Sequence, residues 1–146
     1  MKKVFIIFCF VLLFMGCSKR EKFYLDDDYY HKGEFINITS KELKKLKSQN
    51  YILYTYNSYC TFSVPCENVF KGYMNKYHID FVSIPFDEFK KTTFYKTVSY
   101  GPSILIIQNG NIITYLDAEA DEDIPKYQNL AKFENWMNQY IYTKKE

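Results

Sequence analysis

The sequence predicts one α/β domain in which helices cover a central mixed sheet. Three observations support this: short apolar runs alternate with amphipathic helical segments, two of the runs are joined by Asn109-Gly110, and a helical segment closes the chain. Parallel strands need crossover helices, whereas an Asn-Gly turn joins antiparallel strands, so both kinds of pairing are expected. The predicted order is β α β α β α β β α.

The first two strands are separated by one helix. Phe35–Ile38 reads as a short strand, and Thr39 with Glu42 three residues later is a capping-box pattern that begins a helix ending near Ser48. The β-branched and aromatic run Tyr51–Tyr56 is typical of a buried strand.

The middle of the chain continues the alternation. A third strand is predicted at Ile79–Ile84 and a polar helix at Asp87–Val98. A helix is predicted to begin at Cys66, because apolar residues recur at helical spacing; they are Val69, Phe70, Tyr73, Met74 and Tyr77.

The last part of the domain is a hairpin followed by a helix. Ser103–Ile107 and Asn111–Tyr115 are apolar strands, and Asn109-Gly110 between them tolerates the positive φ that a tight turn requires. Asp123 is a candidate cap for the closing helix, with Pro125 in its first turn. The predicted core face of this helix is Leu130, Phe133, Met137, Tyr140 and Ile141.

The first residues of the chain predict an export signal. Two lysines precede the apolar run Val4–Phe14, which is shorter than the roughly 20 residues needed to span a bilayer. Residues 1–16 are therefore predicted to be a signal peptide. Phe14-Met15-Gly16-Cys17 resembles the lipobox of bacterial lipoproteins, which implies acylation of Cys17, for example by palmitate, and attachment to a membrane. A retained anchor helix and plain secretion are the alternatives.

The predicted domain plan is a tether followed by the folded domain. Residues 17–34 are polar without periodicity, which indicates a lipidated tether, and residues 35–146 form the domain. The expected location is the cell envelope, on the extracytoplasmic side of a membrane. Asp26–Asp28 near His31 lacks the ligand spacing and turn glycine of a calcium loop, so this run is interpreted as solvated linker.

Composition narrows the class of protein. The chain is 47% apolar and has 19 basic against 17 acidic residues; removal of Lys2 and Lys3 with the leader leaves 17 against 17. With equal numbers of basic and acidic residues, the chain lacks the excess of positive charge that binding to nucleic acid requires. The basic run Lys41–Lys47 is interpreted as a solvated helix face. No metal or other cofactor is expected, and the protein is expected to be a monomer.

Three segments, taken with the element order, resemble the thioredoxin superfamily over residues 35–143. They are Tyr51–Cys60, Val64–Cys66 and Tyr100–Leu105. The resemblance implies a thioredoxin-like three-layer sandwich, in which a buried strand leads to a cysteine pair at a helix N-terminus and a cis-proline lies opposite that pair.

The resemblance also implies the site residues. Cys60 and Cys66 would be the catalytic cysteines, and Tyr59, Gly101 and the cis-proline Pro102 would bind substrate. Outside the cytoplasm such a cysteine pair can persist as a disulfide.

This sequence departs from the family pattern in three ways. Five residues separate Cys60 from Cys66 where the family has two, Tyr59 replaces a common tryptophan, and Tyr54 replaces a buried acid. Which cysteine attacks stays open. Matching Pro65-Cys66 to the family's Pro-Cys makes Cys60 the nucleophile, whereas the helix N-terminus favours a thiolate at Cys66.

Two classes of function follow. The first is a membrane-tethered thiol–disulfide oxidoreductase acting on envelope proteins that carry thiols or disulfides. The second is a non-catalytic binding module, or an accessory lipoprotein of an export or transfer apparatus, in which a Cys60–Cys66 disulfide is structural. Zinc is disfavoured because no other Cys or His lies at ligand spacing from the pair. His78 and Trp136 are interpreted as structural.

Overall fold

The computed structural model describes residues 21–57, 63 and 65–143. Short 3₁₀ turns occur at Asp27–Tyr29, Lys44–Leu46 and Thr93–Lys96. The strands and helices are, in chain order, β1 (Phe35–Asn37), α1 (Ser40–Leu43), β2 (Tyr51–Tyr56), α2 (Cys66–Tyr77), β3 (Phe81–Pro85), α3 (Phe86–Phe89), β4 (Ser103–Gln108), β5 (Asn111–Asp117), α4 (Ile124–Gln128) and α5 (Leu130–Met137).

The five strands form one mixed sheet in the order β1-β3-β2-β4-β5. β3 is parallel to β1 and to β2, whereas β4 is antiparallel to β2 and to β5. Helix α2 packs with α4 and α5 on one face. On the other face a hydrogen bond from the Ser40 hydroxyl to Glu88 joins α1 to α3. The predicted α/β fold with a central mixed sheet is confirmed.

Strand β2 occupies the middle of the sheet because it is apolar on both faces. Its Leu53 pairs with Val82 of β3 on one side and with Leu105 of β4 on the other. All three residues are at most 1% exposed. Such a continuous apolar run is typical of strands that have both faces covered.

Helix α2 contributes Phe70 and Tyr73 to the aromatic core. Phe70 is fully buried, with its ring centroid 5.2 Å from that of Tyr54 on β2 and 5.1 Å from that of Phe133 on α5. The helix ends at His78, which adopts a left-handed φ of 53° and donates its backbone N–H to the Met74 carbonyl. The backbone of His78 therefore ends the helix.

The predicted hairpin turn is confirmed. Asn109 and Gly110 have φ values of 49° and 70°, which is the pattern of a two-residue turn between twisted antiparallel strands. Gly110 is also required for packing, since a Cβ there would lie 1.9 Å from the Lys47 carbonyl oxygen.

Two helices are shorter than predicted. The capping box of Thr39 and Glu42 is present, but α1 passes into a 3₁₀ turn after Leu43. The predicted helix at Asp87–Val98 is wrong: α3 ends at Phe89 and a separate 3₁₀ turn follows. Thr92 between them is extended, as suits a β-branched residue with low helix propensity, and the break lets Phe86 pack against Tyr95.

The closing helix is also divided. Asn129 is extended, and its side chain accepts the Lys132 N–H to cap α5. Pro125 lies in the first turn of α4 and Asp123 is its N-cap residue, as predicted, but the Asp123 side chain makes no capping hydrogen bond. Its carboxylate accepts the Asp117 N–H at 2.9 Å instead, because the end of β5 lies beside it.

The predicted tether is part of the domain from Phe23 onward, so the boundary drawn at residue 34 is corrected. Phe23, Leu25 and Tyr29 are at most 9% exposed. Phe23 donates its N–H to the Tyr140 carbonyl and forms a bridge with Ile141. The aromatic residues of this segment lack periodicity because they fill gaps at the sheet end rather than one face of an element.

The loop that leads into β1 is attached through a buried carboxylate. Asp80 is 6% exposed, and its Oδ1 accepts backbone N–H groups from Lys32, Gly33 and Glu34 at 3.2, 2.7 and 2.7 Å. Of the acidic run expected to be solvated, Asp27 and Asp28 are exposed, whereas Asp26 accepts the Asn50 N–H at 3.1 Å.

The predicted signal peptide and Cys17 lie outside the described residues. Over residues 21–57, 63 and 65–143, no helix is both long enough and apolar enough to cross a bilayer.

Candidate functional site

Cys66 is the first residue of α2 and directly follows Pro65. Pro65 is the N-cap residue, with φ −55° and ψ 120°, so the N–H it lacks removes no hydrogen bond within the helix. The N–H groups of a first helical turn carry a partial positive charge. The Cys66 side chain is 1% exposed, so its sulfur lies at this positive end and inside the core.

The Cys66 sulfur contacts the hydroxyl of Tyr54. The Tyr54 Oη and Cys66 Sγ atoms are 3.8 Å apart, and either atom can be the donor. Tyr54 belongs to β2 and is 4% exposed. Its ring packs on those of Phe35 and Phe70, with centroids 5.4 and 5.2 Å away. The sulfur therefore lies between β2 and α2 in surroundings that are mostly aromatic.

The Gly101–Pro102 peptide bond is cis, as the resemblance implies. Pro102 is buried and comes directly before β4. The neighbouring loop is held by hydrogen bonds on both sides of this bond. Asn57 Nδ2 donates to the Gly101 carbonyl at 2.8 Å, and the Ser103 hydroxyl donates to the Tyr100 carbonyl at 2.8 Å.

Tyr127 connects this loop with the surroundings of Cys66. Its hydroxyl donates to the carbonyl oxygens of Leu116 and Pro102 at 2.6 and 3.1 Å. Burial raises the pKa of the Tyr127 phenol well above its usual range, and the nearby Cys66 raises it further. Tyr127 therefore stays protonated and remains a donor. The Cys66 end of α2 and the Pro102 loop meet around this one side chain.

The structure describes three of the predicted site residues, Cys66, Gly101 and Pro102, and they lie at the same end of the sheet. Tyr59 and Cys60 lie outside the described residues. Sequence reasoning did not identify Asn57 or Tyr127 as parts of the site. Their partners at the loop are 44 and 25 residues away in the chain, so no local pattern marks them.

Two cavities of about 630 and 510 Å³ are found elsewhere, at the end of the sheet that carries the hairpin turn. Phe94 and Gly110 line both of them, and Cys66 and Pro102 line neither. In the part of the chain that the structure describes, no three His, Cys, Asp or Glu side chains are grouped closely enough to hold a metal ion. The candidate site therefore rests on the cysteine and the proline loop.

Solved thioredoxin structures are similar to this chain. Thioredoxin from Schistosoma mansoni has 19% sequence identity and a TM-score of 0.51, with 76% of this chain and 99% of that chain covered. The reduced thioredoxin pre-protein from the same organism has 21% sequence identity and a TM-score of 0.49, with 74% of this chain and 99% of that chain covered. Oxidised thioredoxin O2 from Arabidopsis thaliana has 19% sequence identity and a TM-score of 0.49, with 72% of this chain and 92% of that chain covered.

No protein-family model matches the sequence, and a search of the curated proteins finds no match. At identities below 25% a structural likeness shows the fold alone. That likeness and the mixed five-stranded sheet establish that this chain has the thioredoxin fold.

Proposed function

We propose that the protein is a thiol–disulfide oxidoreductase that acts through Cys60 and Cys66. The observation that carries the proposal is the position of Cys66, a thiol at the first residue of α2, within contact of the Tyr54 hydroxyl and at the same sheet end as Pro102. A helix N-terminus favours the thiolate, which is the reactive form in disulfide exchange.

The burial of Cys66 supports a division of roles that the sequence left open. A sulfur that is 1% exposed cannot reach a disulfide on another protein without local opening. We therefore assign the first attack to Cys60, which forms a mixed disulfide with the substrate. The Cys66 thiolate then attacks the Cys60 sulfur, a Cys60–Cys66 disulfide forms, and the substrate leaves as a thiolate that takes up a proton.

The Pro102 loop is the proposed substrate-binding surface, together with Tyr59. Tyr100 is 51% exposed and Gly101 is half-buried, so the backbone before Pro102 is accessible to an extended peptide. The bond from Asn57 to Gly101 and the bond from Tyr127 to Pro102 hold this backbone in place. A fixed, accessible backbone segment at the same sheet end as Cys66 suits a substrate that binds as an added strand.

The proposed location is the cell envelope, with the domain attached to a membrane through an acylated Cys17 and acting on envelope proteins that carry thiols or disulfides. Support comes from the leader pattern in the sequence. Cys17→Ser is expected to move the protein from the membrane fraction to the soluble fraction, and mass spectrometry of the N-terminal peptide should detect acyl chains on the unchanged protein. An unmodified Cys17 peptide would remove the anchor from the proposal.

The reduction potential of the cysteine pair tests the activity. Full-length protein in mild detergent is equilibrated with glutathione buffers, alkylated, and analysed by mass spectrometry of the peptides that contain Cys60 and Cys66. We expect a potential above about −300 mV, in the range of exchanging pairs. A pair that stays oxidised well below that value is a structural disulfide, and the protein is then a binding module.

Single substitutions test the two roles. Cys66→Ser should accumulate a mixed disulfide between Cys60 and a disulfide-containing peptide, because the second attack is missing. Cys60→Ser should not accumulate one. Equal trapping by both variants would contradict the assignment, and large losses of thermal stability in both, without loss of exchange, would favour the structural disulfide.

A further inference from the structure

We propose that Tyr54 is a positioning residue for Cys66: its hydroxyl donates a hydrogen bond to the Cys66 sulfur when that sulfur is a thiolate. The inference rests on the proposed function and identifies which side chain prepares the buried cysteine for its attack. Its observational basis is the contact of 3.8 Å between Tyr54 Oη and Cys66 Sγ.

The geometry holds the hydroxyl at the sulfur. The backbone of Tyr54 lies within the sheet, paired with Ser83 of β3 and Ile104 of β4. Its ring is enclosed by those of Phe35, Tyr56 and Phe70 and is 4% exposed. A phenol has few rotatable bonds, so packing of the ring fixes the position of the hydroxyl.

The chemistry requires a donor at this place. A thiolate buried among apolar groups loses the hydration that stabilises its charge, and it forms only where protein donors replace that water. The N–H groups at the start of α2 supply part of this stabilisation. Tyr54 can supply a donor from the sheet side, and hydrogen bonds to charged groups are shorter and stronger than neutral ones.

The other nearby phenol is already engaged. The Tyr127 hydroxyl donates to the Leu116 carbonyl at 2.6 Å and to the Pro102 carbonyl at 3.1 Å. A phenol has one proton to donate, so the Tyr127 proton is directed to backbone carbonyls. Among the described residues, Tyr54 is the phenol whose hydroxyl contacts the sulfur.

The step in which Tyr54 acts is the second attack. The Cys66 thiol first loses its proton, and Tyr54 stabilises the thiolate without being ionised itself. The thiolate then forms a bond to the Cys60 sulfur while the bond between Cys60 and the substrate sulfur breaks. The electron pair leaves with the substrate thiolate, which takes up one proton, so protons and electrons balance.

The expected effect on rate depends on pH. We expect Tyr54→Phe to raise the pKa of Cys66 and so to lower the fraction of thiolate about tenfold at neutral pH. Because the nucleophilicity of a thiolate rises with its pKa, with a Brønsted coefficient of about 0.4–0.5, the second attack then slows only about threefold at neutral pH. Above both pKa values the same coefficient makes the variant about threefold faster.

The experiment uses the full chain in mild detergent, in a Cys9→Ser, Cys17→Ser background so that only the pair carries thiols. NMR of ¹³Cβ-labelled cysteine in a Cys60→Ser variant gives the pKa of Cys66 with and without Tyr54→Phe. Stopped-flow reaction with dithionitrobenzoate gives the concentration-independent release of the second thionitrobenzoate, which reports the attack of Cys66 on the labelled Cys60.

Tyr73→Phe is the matched control. Tyr73 lies on α2, its side chain is fully buried, and its hydroxyl has no hydrogen-bond partner among the described residues. This substitution also removes a core hydroxyl but should leave the pKa of Cys66 and the release rate unchanged.

The outcomes separate the two proposals. A higher Cys66 pKa in Tyr54→Phe, with a release rate below that of the unchanged protein at neutral pH and above it at high pH, supports the role of Tyr54. An unchanged Cys66 pKa overturns it even if the pair exchanges normally. A structural disulfide would appear instead as a reduction potential well below the exchanging range, while the NMR titration in the Cys60→Ser variant still reports the Tyr54 contact.

Discussion

The side-chain amide of Asn57 donates a 2.8 Å hydrogen bond to the carbonyl oxygen of Gly101. Asn57 directly follows β2, and Gly101 precedes the cis bond to Pro102. One hydrogen bond therefore joins the segment that leads toward the cysteines to the loop proposed to bind substrate.

Asn57→Ala is expected to lower the free energy of unfolding by about 1 kcal/mol, the usual net value of one hydrogen bond between neutral groups. Urea unfolding followed by tryptophan fluorescence measures it. Asn135→Ala, at an exposed position on α5, is the control and should change stability by less than about 0.5 kcal/mol. Equal losses in both variants would show that the Gly101 bond contributes nothing specific.

Gly101→Ala is expected to cost about 1–3 kcal/mol because a methyl group there overlaps the ring of Phe86. A Cβ at Gly101 would lie 2.8 Å from Cδ2 of that ring. A double-mutant cycle with Phe86→Leu measures the coupling, and the double variant should recover part of the loss.

Gly72→Ala on α2 is the matched glycine substitution. The nearest atom to its Cβ would be the end of the Leu130 side chain at 3.3 Å, and alanine favours the helix by about 1 kcal/mol. Its stability should stay within about 1 kcal/mol of the unchanged protein. A loss at Gly72 as large as that at Gly101 would contradict the explanation by the Phe86 ring.

Glu88 should make stability depend on pH in the acid range. Hydrogen bonds from Lys91 first, then from the Ser40 hydroxyl and N–H, lower its pKa from 4.5 to about 2. The folded carboxylate binds a proton less readily than the unfolded one, so this stabilisation is complete above about pH 5 and is lost as pH falls toward 2.

Glu88→Gln should therefore be less stable than the unchanged protein at pH 7 and should lose less stability between pH 5 and pH 2. Urea midpoints over this range measure both effects. Glu122→Gln is the control, since Glu122 is exposed and its carboxylate has no hydrogen bond among the described residues. Parallel pH profiles for Glu88→Gln and the unchanged protein would refute the prediction.

Leu25→Ala tests whether the segment before β1 belongs to the domain. Leu25 is 2% exposed, so its truncation should cost about 2–5 kcal/mol by loss of buried surface and formation of a cavity. Thermal and urea unfolding measure this cost. Glu21→Ala changes an exposed residue of the same segment and should leave stability nearly unchanged. If Leu25→Ala also left stability unchanged, the segment would be a tether outside the domain, as the sequence indicated.

The fold could be predicted because its signals are local. Tyr51–Tyr56 and Ser103–Ile107 are short apolar runs, the α2 residues repeat at helical spacing, and Asn109-Gly110 requires a turn. Each of these patterns is read within about ten residues. The interruptions of the predicted helices at Thr92 and Asn129 could not be predicted, because they depend on how aromatic side chains pack in the core.

The candidate site was only partly predictable for the same reason. Cys66 and Pro102 stand out in the sequence as residue types with special chemistry. Tyr54 and Tyr127 are two of 15 tyrosines, and only the folded chain shows that one contacts a sulfur and the other bonds to Pro102. The buried segment around Leu25 was missed because it fills space without repeating at any period.

The bridge between Phe23 and Ile141 sets how far the domain can stand from its proposed lipid anchor. Five residues separate Cys17 from Phe23, and even in a fully extended chain the two Cα atoms are only about 20 Å apart. A domain with so short a linker would stay close to the lipid headgroups. The proteins on which it acts should therefore expose their cysteines close to the bilayer surface.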